Sequence, residues 1–78
     1  MTLVELGAAL RVEREKRGLD MEDAANRLKI SARRLRALEE GDEQSLPPLA
    51  YTKGFIRSYA SYVGLSAEEV SEALGALE

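Results

Sequence analysis

Every apolar period in this chain is helical, and each helical stretch carries its own start and stop signals. Thr2-Leu3-Val4-Glu5 is a capping box, with a hydroxyl at the N-cap and a carboxylate three residues later. Leu3, Leu6 and Leu10 follow at helical spacing. The run from Arg11 to Arg17, which includes Glu13, Arg14, Glu15 and Lys16, reads as a charged, solvated face. Gly18 supplies a left-handed stop, so a first helix is predicted over 3–17. Asp20 caps a second helix over 21–28, with Asp23 in the first turn, where the helix dipole favours negative charge, and Ala24, Ala25 and Leu28 on a small-residue face. Lys29-Ile30 is a tight connection to Ser31, which caps a third helix over 32–40 with Leu35 and Leu38 inward and Gly41 closing it. Pro47 and Pro48 hold the end of the Gly41-to-Pro48 loop extended, with Leu46 and Leu49 tucked beneath it. A fourth helix is predicted over 49–63, ending at Gly64. Ser66 and Glu69 form a second capping box that opens a fifth over 67–76, with Ala67, Val70, Ala73, Leu74 and Leu77 as its apolar positions. No stretch alternates as a strand would. The 78 residues have room for one domain, 1–78, and the expected fold class is all-α, a five-helix bundle.

The residue inventory narrows the chemistry. The chain has no cysteine and no histidine, which removes the thiolate nucleophile, the commonest general base and the commonest zinc ligands. Its carboxylates sit singly on caps or in runs such as Glu39-Glu40, and its glycines are scattered rather than gathered into a phosphate loop. No enzyme, cofactor, metal or small-molecule substrate is expected. Fourteen acidic against eleven basic residues give a net charge of −3, which argues against general affinity for nucleic acid but leaves room for a local basic face. No run approaches the roughly 18 apolar residues that cross a bilayer. Charges from Glu5 onward argue against a signal peptide. The chain is expected to face the cytoplasm, as a soluble domain or as the cytoplasmic part of a single-pass inner-membrane protein.

Residues 21–40 have the spacing of a helix-turn-helix. Ala25 is small where the two helices would cross, and Leu28, Ile30, Leu35 and Leu38 are apolar where the pair would pack on its domain. The stretch from Gly18 through Ala25, ending in Leu38-Glu39-Glu40-Gly41, resembles the phage-repressor-like class. In that class the second helix enters the major groove and offers its first residues to base edges. By that resemblance the reading positions fall on Ala32, Arg33 and Ala37, and an alanine can touch only a thymine methyl. Met21 stands where such repressors place an amide, and Lys29 where they often place glycine. Arg33, Arg34 and Arg36, with Arg27 and Lys29 close in sequence, are candidate phosphate contacts. The plainer reading is that these arginines solvate the helix and pair with Glu39, Glu40, Glu22 or Asp23.

The fourth helix is the unusual one. Leu49, Ile56, Ala60 and Val63 make one aliphatic face, and Tyr51, Phe55, Tyr59 and Tyr62 make a neighbouring face that holds every aromatic residue of the chain. Together these faces are wider than one small core covers, so some rings should stay exposed, as interface anchors do. Lys53, Arg57 and Gly54 are placed beside the stripe, the two cations as complements to an acidic partner and Gly54 as room for another backbone to approach closely. The plainer alternative puts Phe55 and Tyr59 in the core and leaves Tyr51 and Tyr62 on its rim.

The run from Pro48 to Leu65, with its Tyr-x-x-Gly-Phe-x-Arg-Ser-Tyr core, resembles the fourth-helix signature of the RodZ family. Leu6-Gly7-Ala8-Ala9-Leu10-Arg11, Arg14-Glu15-Lys16-Arg17-Gly18-Leu19 and Lys29-Ile30-Ser31 resemble that family too. The resemblance covers residues 3 to about 74. It implies a cytoplasmic adaptor domain of a bacterial cell-shape protein, preceding a single membrane-spanning helix and docking on the actin-like protein MreB. The family's docking aromatics match Tyr51 and Phe55, while Tyr59 matches a position expected in the core. Three readings stand at this point: an MreB adaptor using Tyr51, Phe55, Lys53, Arg57 and Tyr62; a DNA-binding regulator using Arg33, Arg34, Arg36 and Lys29; and a homodimer closed by the aromatic stripe.

Overall fold

Five α-helices and one short 3-10 turn make up the computed structural model, which describes residues 2–77; Met1 and Glu78, the two ends of the expected domain, lie outside the described residues. The helices are α1 (Leu3–Lys16), α2 (Met21–Leu28), α3 (Ala32–Glu40), α4 (Leu49–Tyr62) and α5 (Ala67–Gly75). No strand occurs among the described residues, so the fold is all-α. The caps explain the boundaries. The hydroxyls of Thr2, Ser31 and Ser66 and the carboxylate of Asp20 each accept from the backbone N–H three residues on. Thr2 and Ser66 complete capping boxes, and hydrogen bonds from their backbone N–H groups, then from their hydroxyls, hold Glu5 and Glu69 below the usual carboxylate range.

α1 lies across α3, α2 pairs with α3, and α4 rests on α2 and α5. The core is built from Leu6 and Leu10 of α1, Ala24 of α2, Ile30 of the turn, Leu35 and Leu38 of α3, Ile56 and Val63 of α4, and Leu74 of α5. The α1–α3 crossing is close because position 7 has no side chain: a Cβ on Gly7 would lie 2.1 Å from the Leu38 carbonyl oxygen. Between α2 and α3 the chain turns at Lys29, whose φ of 58° makes it the one left-handed non-glycine residue described.

Several expectations change. Ala24, not Ala25, is the fully buried alanine of α2; Ala25 is half-buried. Leu49 does not tuck under the loop and is 41% exposed. Its place on the buried face is taken by Thr52, whose hydroxyl donates to the Pro47 carbonyl at 2.9 Å and so ties the first turn of α4 to the proline loop. Leu46 is half-buried, as expected. The loop holds a 3-10 turn, Glu43–Ser45, that no sequence signal announced. In α5, Ala67 faces solvent while Val70 and Leu74 are buried.

Candidate docking site

Two chemical features converge where α3 meets α4. The first is the aromatic flank of α4. Tyr51 is 68% exposed on the first turn, Phe55 and Tyr62 are half-buried against the core, and Tyr59 is fully buried. The second is a guanidinium: Cζ of Arg34, on α3, lies 5.0 Å from the centroid of the Phe55 ring, in cation–π contact. Tyr62 lines a hollow with Asp23, Asn26 and Arg27 of α2, so the flank runs along both helices of the helix-turn-helix.

Lys53 and Arg57 do not lie beside this flank. At 3.6 residues per turn, Arg57 projects about 160° away from Phe55. It lines a separate hollow with Ser61, Leu65, Ala67, Val70 and Ser71, between α4 and α5. Lys53 is half-buried on that same side of the helix. Beside Tyr51 and Phe55 the outer face of α4 instead carries small exposed residues, Gly54 and, beyond Phe55, Ser58. Nothing stands within 4 Å of the place a Cβ on Gly54 would occupy, so the backbone there is open to close approach.

The basic residues divide sharply. Arg11 pairs with Glu15 at 3.2 Å, Lys16 and Arg17 pair with Glu13 at 3.8 and 3.4 Å, and Arg36 pairs with Glu22 at 3.7 Å. Arg14 is clamped by Glu39, with Nε to Oε2 at 2.7 Å and Nη2 to Oε1 at 3.2 Å. Among the described residues, Arg27, Lys29, Arg33, Arg34, Lys53 and Arg57 have no carboxylate within ion-pair distance. The expected pairing of the α3 arginines with Glu39, Glu40, Glu22 or Asp23 therefore holds for Arg36 alone.

The Glu39 carboxylate was expected on a solvated run and is instead buried. Besides the Arg14 bonds it accepts a hydrogen bond from the Tyr59 hydroxyl, and Arg14 Nη1 also donates to the Leu19 carbonyl at 3.1 Å. The Glu39 hydrogen bond holds the Arg14 guanidinium above its ordinary range. Burial, and then the Glu39 hydrogen bond, push the Tyr59 hydroxyl upward. Sequence reasoning missed this knot, although Arg14 falls four residues after Leu10, on the same stripe as Leu3 and Leu6. It helps fix the rotation of α4: with Tyr59 held inward, Phe55, one turn back on the same stripe, sits at the edge of the core, and Tyr51, two turns back, has turned out to solvent.

The base-reading positions fare differently. Arg33 is exposed and Ala32 half-exposed, but Ala37 is only 4% exposed. It lines a hollow with Arg33, Arg36, Glu40, Asp42 and Ser45, so the C-terminal half of the outer face of α3 is closed by the 3-10 turn and edged by two carboxylates.

No helix described is long and apolar enough to cross a membrane. Comparison with known proteins gives a family match and a distant relative. Residues 9–70 match the model of a helix-turn-helix domain family. The chain is also 39% identical, over 54 residues, to a Bacillus subtilis (strain 168) protein named "Uncharacterized membrane protein YmfM"; the match takes in 69% of this chain and 19% of that protein. The chain thus spans about a fifth of the length of that curated relative. No solved structure matches the chain. With the family match running from the middle of α1 into α5, and α2 and α3 joined through the turn at Lys29, the chain belongs to the helix-turn-helix domain family.

Proposed function

We propose that this domain is a non-catalytic cytoplasmic adaptor of the RodZ type, which docks through the outer flank of α4 onto the actin-like protein MreB and links its filaments to the membrane. The observation that carries the reading is the Tyr51 ring, 68% exposed beside an open stretch of helix backbone. A tyrosine in that position offers large contact area with little entropy to lose, and such residues anchor protein interfaces. The name of the B. subtilis relative agrees with a membrane connection, which residues outside the matched segment would supply.

Co-sedimentation with polymerised MreB tests this, comparing the wild type with Tyr51→Ala and with the Tyr51→Ala, Phe55→Ala double variant. Loss of a true anchor weakens binding by about 2 kcal/mol or more. Phe55 also packs against the core, so the single Tyr51 variant carries the test, with helicity checked by circular dichroism. Unchanged sedimentation would reject the reading.

The second reading is a DNA-binding regulator. The family fold favours it, as do the unpaired Arg33, Arg34 and Lys29. The buried Ala37 and the carboxylates of Glu40 and Asp42 oppose it. A mobility shift on random duplex DNA that steepens as salt falls would support it.

A further inference from the structure

Although the chain is net acidic, it has no carboxylate between Asp23 and Glu39, and none between Glu43 and Glu68. Those two segments supply the turn, most of α3 and all of α4. Among the described residues, all six side-chain cations that lack an ion-pair partner lie within them. Arg34 is distinctive among the six because its guanidinium is placed against Phe55. A guanidinium resting on a ring keeps its N–H donors directed outward at its edge, and that fork matches a carboxylate bidentately. A neutral or basic partner covering this seam would strip water from Arg34 and return no counter-charge, which is costly.

We infer that the docking face crosses from α4 onto α3, with Arg34 as its cationic centre, and that it takes an acidic protein surface whose carboxylate meets the Arg34 guanidinium while an apolar hollow receives Tyr51. This rests on the adaptor reading above and adds to it the partner's chemistry and a contact residue on the helix that a DNA-binding reading assigns to phosphate. The orientation follows from the stack. Arg34 and Phe55 are brought together from separate helices, so a partner seated on the rings meets the guanidinium at the same time.

The test measures binding to polymerised MreB at two salt concentrations, for wild type, Tyr51→Ala, Arg34→Glu, Arg34→Gln and Arg57→Glu. Thermal unfolding of each variant confirms that it is folded. Arg57→Glu makes the same charge reversal on the far side of α4. The expected result is a loss of roughly tenfold or more for Arg34→Glu, a smaller loss for Arg34→Gln, a change of about twofold or less for Arg57→Glu, and wild-type binding that weakens as salt rises. If Tyr51→Ala abolishes binding while Arg34→Glu binds as wild type does, the inference fails and the adaptor reading survives. Where neither variant matters, both fall. Equal losses from Arg34→Glu and Arg57→Glu would show diffuse attraction in place of a located contact and would overturn the inference. Retention of random duplex DNA is measured for the same variants, and an Arg34→Glu variant that keeps filament binding but loses that retention would also overturn the inference, since the basic seam would then belong to nucleic acid.

Discussion

α1 and its C-cap carry Arg11, Arg14, Lys16 and Arg17, and every one of them is held in an ion pair. The turn and α3 carry Lys29, Arg33, Arg34 and Arg36, and only the last is paired. The cation number is the same in the two regions, yet the surfaces are opposite in kind. In α1 the acids are interleaved at three- and four-residue spacing, so the helix neutralises its own charge and its outer face is ordinary solvated surface. α3 has no acid in its first seven residues, so Arg33 and Arg34 have no acid three or four residues away to pair with, and Arg34 has come to rest on an aromatic ring of α4. A basic run marks a site by what is missing around it more than by its own charge.

This contrast can be broken or sharpened. The largest effect is expected at Glu39, which turns the one buried pair of α1 into a junction. Glu39→Ala strands the Arg14 guanidinium, whose side chain is only 16% exposed, together with the Tyr59 hydroxyl; it should destabilise the domain by about 3 kcal/mol or more in urea unfolding. A loss below about 1 kcal/mol would instead rank this pair with the exposed ones. Tyr59→Phe, which removes a hydrogen bond to a buried carboxylate, should cost about 2 kcal/mol at neutral pH. It should also change the alkaline behaviour. Because the folded Tyr59 holds its proton above the ordinary value of 10.0, its contribution is complete below pH 10 and declines as pH rises beyond it, when the unfolded chain loses that proton first. The variant should lack that part of the decline, seen as a flatter stability curve above pH 10. The smallest effect is expected from Arg11→Ala: the pair with Glu15 is exposed, so stability should move by about 0.5 kcal/mol or less, with filament binding unchanged. A docking loss matching that of Arg34→Glu would erase the distinction between the two surfaces.

Helix limits were legible because they are set locally. α2 and α3 fall on the expected 21–28 and 32–40, and α1, α4 and α5 end one residue early; the hydroxyl or carboxylate caps of α1, α2, α3 and α5 and the left-handed residues that follow α1, α2, α3 and α4 depend only on neighbours in sequence. That some ring of α4 would stay exposed followed from the helix having more apolar surface than one core can hide; that the most exposed ring is Tyr51 did not follow from that surplus. What did not follow was how that helix is rotated. Two adjacent faces were both apolar, and the choice between Leu49 and Thr52 was decided by a carbonyl, that of Pro47, which exists only once the loop has folded back. The Arg34–Phe55 stack joins residues far apart in the chain and left no periodic trace. Ala37 looked like a reading position because the repressor pattern places one there; it is buried, in a hollow shared with Ser45 of a 3-10 turn of which the sequence gives no sign.

Glu39 is bound to α1 through Arg14, to α4 through Tyr59 and, through Arg14 again, to the α1–α2 link at Leu19. The helix-turn-helix is therefore no detachable cassette. A peptide cut to residues 19–45 would keep the buried acid and lose both of its partners, and within the whole domain no helix of the three can swing away without leaving a charge or a hydroxyl stranded. Whatever settles on α4 thus meets a surface already braced by the far side of the molecule.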